Sequence, residues 1–250
     1  MTHTAPLWIV DLGRQPYLPI LELQRALCRL RMAGRLREDL LLLVEHDPVI
    51  TLGRGTRASS VPLAPDALQR AGFEVAEVER GGDVTVHEPG QLVGYPILDL
   101  KDHRPDLHWY LRQLEEGLIQ ALGSLGIPAE RRPGLTGVWT SGRKIASLGI
   151  HVKQWITFHG FALNVVNDLR GFQLVVPCGI DGVTMTSVAR ERLHGRSDPG
   201  ETWDQAREAV VAAFGRVFGR EPRPGGLAEF LGPDAMPGIR RAPGEPVPAP

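Results

Sequence analysis

Cys178 lies between Pro177 and Gly179, with no bulky neighbour to cover it, and the chain's other cysteine, Cys28, is far away in sequence. A thiolate attacks carbonyl carbon more readily than a serine hydroxyl at neutral pH, and the thioester it forms stays reactive, so an accessible cysteine suits group transfer. The competing reading is a cysteine that only fills a turn. A nucleophile of this kind needs a base, and three residues are candidates. His87 and His159 have the side chain whose ordinary pKa fits the task. Lys144 stands out for another reason: arginine is this chain's usual cation, and Lys101, Lys144 and Lys153 are its lysines. An amine can surrender its proton where a guanidinium cannot, so a lysine retained in the run Gly142 to Ile150 hints at a titratable role.

These residues fall within three blocks. The first, Arg80 to Tyr95, sets Arg80, Gly81, Gly82, Thr85, His87, Gln91 and Tyr95 around a Glu88-Pro89-Gly90 turn. Val84, Val86, Leu92 and Val93 read as short strands on either side of it, so a hairpin is expected, with a glycine-rich turn and an incidental histidine as the plainer alternative. In the second block, Lys144, Ala146, Leu148 and Ile150 alternate with Ile145, Ser147, Gly149 and His151. After Gln154-Trp155, His159, Phe161 and Leu163 alternate with Gly160, Ala162 and Asn164. Period-two alternation across a short turn predicts a second hairpin, whose small residues either pack against a helix or leave a slot for a linear ligand.

The elements that must position these blocks are legible in outline. Leu7 to Val10 reads as a strand. Pro16 to Gly34 reads as an amphipathic helix, with Ile20, Leu23, Leu27 and Leu30 on one face and Cys28 as an inert core thiol. Two strands, Leu40 to Glu45 and Val49 to Leu52, flank His46-Asp47-Pro48. The loop Gly53-Arg54-Gly55-Thr56 could cradle a phosphate, although it lacks the lysine of a P-loop. Helices are expected over 65–72, 107–123 and 201–218. Hairpins in place of βαβ units argue for an α/β (α+β) fold with a mixed, largely antiparallel sheet.

Taken in order, the run RGG-x-x-T-x-H-x-PGQ, the GRKIA strand, the HG-x-ALN strand and the PCG turn resemble the lipoate-protein octanoyltransferases, over about Asp39 to Arg190. The resemblance implies the fold of the biotin/lipoate protein ligase catalytic domain, a central sheet flanked by helices. It implies Cys178 as nucleophile and Lys144 as base. It also implies a substrate pocket formed by Arg80, Gly81, Gly82, Thr85, His87, Gly90, Gln91, Tyr95, Ala146, Ser147, Leu148, Gly149, His159, Gly160, Phe161, Ala162, Asn164 and Gly179, with backbone amides near Gly81-Gly82 or Gly179 facing the oxyanion. The donor would be octanoyl-acyl carrier protein. The acceptors would be lipoyl domains of 2-oxoacid dehydrogenases and the glycine cleavage H protein. Passing an acyl group from a thioester to an amine runs downhill, so no ATP and no cofactor are required. Because carrier proteins are acidic, Arg131, Arg132 and Arg143 are candidates to meet one.

Composition narrows the alternatives. The 250 residues are 42% hydrophobic with a formal net charge of −1, enough for a core and without the basic face that nucleic acid needs. No apolar run approaches the ~20 residues of a membrane helix, and the amino terminus does not read as a secretion signal, so a cytoplasmic monomer is the default. Two distant cysteines without ligand spacing predict neither a disulfide framework nor a metal site. A single catalytic domain over 1–231 and a disordered Pro/Gly-rich tail over 232–250 complete the expectation. The rivals are an ATP-dependent lipoate or biotin ligase, a non-catalytic acyl-carrier or lipoyl-domain binding protein, and a cysteine hydrolase.

Overall fold

The computed structural model describes residues 4–176, 182–192, 198–231 and 239–240. Its first strand, β1 (Pro6–Gln15), runs past the predicted Val10 because a register shift between Asp11 and Arg14 lets it continue beside the next strand. Helix α1 (Tyr17–Met32) follows, ending with Arg29 and Arg31 in its last turn, where the helix dipole favours cations. Then come β2 (Asp39–His46), β3 (Val49–Leu52), α2 (Pro65–Arg70), β4 (Glu74–Glu77), β5 (Val84–His87) and β6 (Gln91–Ile97). Helix α3 (Leu107–Ser124) starts at Asp106, whose carboxylate accepts from the amides of His108 and Trp109. The chain continues through β7 (Glu130–Arg132), β8 (Leu135–Thr140), β9 (Arg143–Lys153), β10 (Ile156–Asn164), α4 (Val188–Glu191), α5 (Pro199–Phe218), β11 (Glu221–Pro224) and α6 (Leu227–Leu231).

Eight strands form one sheet in the order β11-β1-β2-β6-β10-β9-β8-β7, parallel at β11-β1-β2 and antiparallel beyond. This is the mixed, largely antiparallel sheet expected from the sequence. One face packs on α1 through Ile20, Leu23, Leu27 and Cys28 against Leu40, Leu42, Val93 and Ala162. The other face meets α3 and α5, where Leu114, Leu118, Val210 and Phe214 cover Leu41, Leu43, Phe161 and Leu163. Strict alternation along β2 explains the split: residues 41 and 43 point one way, 40 and 42 the other. Cys28 is 3% exposed and burial raises its thiol pKa, as befits an inert core residue.

The first expected hairpin is not one. β5 pairs antiparallel with β3 in a separate three-stranded sheet, β4-β3-β5, while β6 enters the large sheet between β2 and β10. Gly90 makes the corner. Its φ is +87°, its carbonyl accepts from the amides of Val165, Val166 and Asn167, and a Cβ there would stand 2.6 Å from Asn167 N. The hydrogen bonds that a hairpin would draw across the turn are thus taken up by the end of β10. The second expected hairpin stands as read: β9 and β10 pair from Lys153–Ile156 to Ala146–Leu163 around Gln154 and Trp155, both at positive φ.

Most of the carboxy-terminal tail lies outside the described residues. Where it is described, it is anchored: Ile239, like Phe230 and Leu231, packs against the core on the α1 side of the sheet, and Arg240 exchanges two backbone hydrogen bonds with the buried Gln15 amide and pairs with Asp47 at 2.9 Å. A single isoleucine in a proline-rich run is too weak a sequence signal to reveal such an anchor.

Candidate active site

A cavity of about 230 Å³ opens where the small sheet meets the large one, beside the start of α1. Tyr17 of α1, His87 of β5, Tyr95 of β6, Trp139 of β8, Lys144 of β9 and His159 of β10 contribute to its wall. It lies just below the range of ~300–1,000 Å³ usual for drug-sized ligands, a size for a small linear group.

Lys144 reaches this wall through a break in the strand. Val138 faces Ala146 and Trp139 faces Lys144, so Ile145 is an extra residue on β9, a β-bulge. Ile145 and Ala146 both enter the core beside α3, and Lys144 lines the cavity together with Ser147 and Gly149. The expected grouping of Lys144 with Ala146, Leu148 and Ile150 is therefore corrected for Ala146 and Ile150, while Leu148 does share the cavity wall with Lys144, because a bulge reverses the alternation at the point where it sits. Lys144 is 2% exposed. Gly137 makes room for its stem, since a Cβ there would lie 2.6 Å from Lys144 Cε, and its Nζ stands 5.8 Å from the centre of the Trp139 ring. The Lys144 backbone also bonds a later segment: its amide donates to Thr184 O and its carbonyl accepts from Thr186 N, both at 2.9 Å.

Beneath the cavity lies a buried cluster of rings. Tyr17 stacks on His87 at 5.7 Å, and His46, wholly buried, bonds Tyr95 Oη through Nε2 at 2.8 Å. Burial pulls the His46 pKa down to about 4, against the opposing pull of the Gln15 carbonyl. His87 is held well below the ordinary imidazole range by burial first and by its neighbours His46 and Arg80 next. His159 is lowered by burial too, although Glu79, 3.9 Å from its Nε2, pulls the other way. Its backbone, at φ +57°, donates to Gln24 of α1. All three shifts favour the neutral ring.

Arg80 braces the wall: its guanidinium donates to the carbonyl and hydroxyl of Thr51 and to the carbonyls of Gly81 and Asp83. Gly82, Thr85, Leu148, Gly160, Phe161 and Ala162 line the cavity as expected. Gly81, Gly90, Gln91, Ala146 and Asn164 stand outside that lining. Gly81 donates its amide to Ile150 O, which removes it as an oxyanion donor. Gly90 holds the corner already described, and Ala146 is core. Gln91 and Asn164 stand one layer behind the wall, joined to each other at 2.9 Å and to His87 through the Gln91 carbonyl oxygen at 2.8 Å. Cys178 and Gly179 lie outside the described residues.

Two further expectations change. The amides of Gly53, Arg54 and Gly55 donate to the carbonyls of Asp83, Arg80 and Gly82, so this loop braces the cavity wall and has no free amide nest for a phosphate. Arg131 is held by Glu115 and Glu116, and Arg143 by Glu191, whereas Arg132 lies over the Trp139 ring at 4.8 Å. Tyr17, His46 and Trp139 were not picked out from the sequence. Each is an aromatic residue in an ordinary helix or strand pattern, and only the tertiary arrangement brings them to the site. Among the described residues no group of His, Cys, Asp and Glu could hold a metal ion, and no helix is long and apolar enough to cross a membrane.

The sequence profile of the lipoyl protein ligase A/B catalytic domain matches residues 16–215. An octanoyltransferase of Gloeobacter violaceus is 49% identical over 223 residues, covering 89% of this chain and 95% of its own. The chain belongs to the octanoyltransferase family. A second octanoyltransferase, from Nostoc sp., is 49% identical over 209 residues, 84% of this chain and 90% of its own. The fold has relatives further away. A Thermoplasma acidophilum structure of a bipartite lipoate protein ligase and its E2 lipoyl domain superposes with a TM-score of 0.64 over 90% of this chain and 88% of that one, at 16% identity. Within the family, the lysine of the GRKIA strand and the histidine of the first block share one cavity here, as the ordered motifs implied.

Proposed function

We propose that this acyltransferase moves an octanoyl or lipoyl group from acyl carrier protein to the ε-amine of a lysine on lipoyl domains, through a thioester on Cys178 with Lys144 as general base. The observation that carries the reading is a buried lysine in the wall of a small cavity of a chain 49% identical to an octanoyltransferase. The described residues that flank the PCG motif in sequence are bonded to the site. Val176 donates its amide to Ser60 O, Ser60 Oγ bonds the Asp83 carboxylate, and Asp83 lines the cavity. On the motif's other side, Thr184 and Thr186 are bonded to the backbone of Lys144 itself.

In the first half-reaction Lys144 takes the thiol proton and the thiolate attacks the donor's carbonyl. The carbon–sulfur bond to the carrier breaks, and the departing thiolate takes the proton back from Lys144. In the second, the acceptor amine attacks the acyl-cysteine, the new amide forms, and the Cys178 thiolate leaves. The proton lost from nitrogen passes through Lys144 to that sulfur. No phosphate is consumed, in keeping with a Gly53–Gly55 loop whose amides are bonded to carbonyls. Lipoyl domains of 2-oxoacid dehydrogenases and the glycine cleavage H protein are the proposed acceptors, and octanoyl transfer the first step of making their cofactor in place.

Intact mass after incubation with octanoyl-acyl carrier protein tests this reading. Wild type gains one octanoyl group, labile to hydroxylamine, and Cys178→Ala gains none. An adduct that persists in Cys178→Ala refutes the nucleophile, and product that forms from free octanoate and ATP restores the ligase.

A further inference from the structure

His87 lines the cavity, yet it is not needed for proton transfer in the cycle above. Its chemistry is fixed from behind by a relay whose orientation has one solution. Gln91 Nε2 stands 3.1 Å from Val86 O, and Asn164 Nδ2 stands 3.0 Å from Thr186 O. Backbone carbonyls can only accept, so both side-chain amides must turn their NH2 groups to them. Gln91 Nε2 also donates to Asn164 Oδ1. The Gln91 oxygen is therefore the atom 2.8 Å from His87 Nδ1, and that nitrogen must carry a proton. A neutral imidazole with hydrogen on Nδ1 has a bare lone pair on Nε2. Among the described residues the ring's hydrogen bond is the one at Nδ1, and the 6% exposed ring belongs to the cavity wall.

We infer that His87 receives the incoming amine: Gln91 and Asn164 hold it as the neutral Nδ1–H tautomer, and its Nε2 accepts a hydrogen bond from the acceptor lysine's ε-NH2 as that nitrogen approaches the acyl-enzyme. The inference rests on the acyl-enzyme reading. It follows from what a lone pair can bind. An octanoyl thioester offers no N–H or O–H, whereas a neutral amine offers two N–H groups and needs its own lone pair aimed at the carbonyl. Engaging one N–H on Nε2 orients the nitrogen without changing the proton balance, and Lys144 still takes the proton released. Protonation of His87 would turn Nε2 into a donor and repel the amine. The surroundings oppose it: the ring is buried, Tyr17 covers one face, His46 stands edge-on at 5.7 Å, and positive charge on His46, Arg80 or His159 would repel an imidazolium. The same relay ends at Thr186, whose amide is bonded to Lys144 O, so one hydrogen-bonded line fixes both the base's strand and the proposed amine receptor.

Two variants and two rates test the inference. Full-length enzyme is mixed with octanoyl-acyl carrier protein, then with purified lipoyl domain, and intact mass follows acylation of the enzyme and transfer to the domain separately. In His87→Leu, transfer to the amine falls about tenfold more than acylation does, the scale of one lost hydrogen bond, and octanoyl-enzyme accumulates. Gln91→Glu keeps an acceptor on Nδ1 but puts a carboxylate beside it, which raises the imidazole pKa. Transfer in this variant acquires an ionisation at higher pH than in the wild type and falls as pH drops through it. Equal slowing of both steps in His87→Leu, or a pH profile unchanged by Gln91→Glu in a folded protein, overturns the inference. A wild type that gains no octanoyl mass refutes the acyl-enzyme itself, and this proposal with it.

Discussion

Asp39 gives the sharpest test of how the far side of the molecule is held together. Its carboxylate is 4% exposed and accepts from Arg31 Nη2 at 2.8 Å, His103 Nε2 at 2.9 Å and Arg220 Nε at 2.9 Å. These three partners come from the end of α1, the segment before α3 and the residue preceding β11, so one side chain ties together the start of β2, both helical layers and the sheet edge. Burial alone would raise the Asp39 pKa, but the hydrogen bond and charge of His103, followed by Arg31 and Arg220, hold it below the ordinary value. Asp39→Asn preserves shape and removes the charge, leaving the Arg31 side chain, 3% exposed, without its closest counter-ion. Breaking a buried pair in this way costs about 3–5 kcal/mol. At about 2–4 °C per kcal/mol for a chain of this size, Tm should fall by roughly 6–20 °C. None of these residues lines the cavity, so octanoyl transfer at 25 °C should persist in the folded fraction. The pH dependence has a definite sign. A carboxylate with a depressed folded pKa contributes stability above its unfolded pKa of ~3.9 and loses it as pH falls through the folded value, so the difference between wild type and variant should start to narrow below about pH 4. Urea titrations of both proteins at pH 7 and pH 3 supply the measurement. A difference under 1 kcal/mol at pH 7, or one that widens in acid, would refute the argument.

Cys28→Ala should lower stability by about 1–2 kcal/mol with transfer largely intact, and the buried Cys28 thiol of the native protein should resist alkylation until urea unfolds it. Loss of activity in a folded Cys28→Ala would move the nucleophile. Lys144→Arg should cut transfer by ~100-fold or more, because a guanidinium does not accept the proton, while iodoacetamide still alkylates Cys178 beside the retained charge. Near-normal transfer would end the lysine's role as base. Deleting residues 237–250 should lower Tm by several degrees, since it removes Ile239 from its apolar contacts and leaves the buried Gln15 amide and Asp47 without Arg240. An unchanged melting curve would show that these contacts contribute nothing.

Much of the scaffold was readable because its cues are local. The stripe of Ile20, Leu23 and Leu27 gave α1, and period two around Gln154-Trp155 gave the β9–β10 hairpin. What failed was partner choice. Val84 to His87 and Gln91 to Ile97 have the alternation of a hairpin, but nothing in their composition says that β5 will pair with β3 and that the end of β10 will take up Gly90's carbonyl. The bulge at Ile145 was hidden for a similar reason: a single extra residue leaves the hydrophobic pattern almost intact yet moves Lys144 to the other face. At the site, motif spacing brought forward His87, Gln91, Lys144, His159 and Asn164. The motifs did not distinguish residues on the cavity wall from residues behind it. Gln24 meets His159, and Tyr17 meets His87, only after α1 has docked, and such long-range contacts have no sequence periodicity.

The strand order also sets a timetable for synthesis. β1 pairs with β2 on one side and with β11 on the other, joining residues 6–9 to 221–224. A ribosome adding ~5–20 residues per second takes roughly 10–35 s to travel from the end of β2 to β11. Throughout that interval one edge of β1, with Leu7, Trp8 and Ile9 along it, has no native partner to pair with, and an open edge is a template for any other nascent strand. Crowded translation of this message is thus the situation in which the chain is most prone to aggregate, and the short Glu221–Pro224 strand, with two prolines that lack an amide to donate, closes that edge while offering little for another chain to extend.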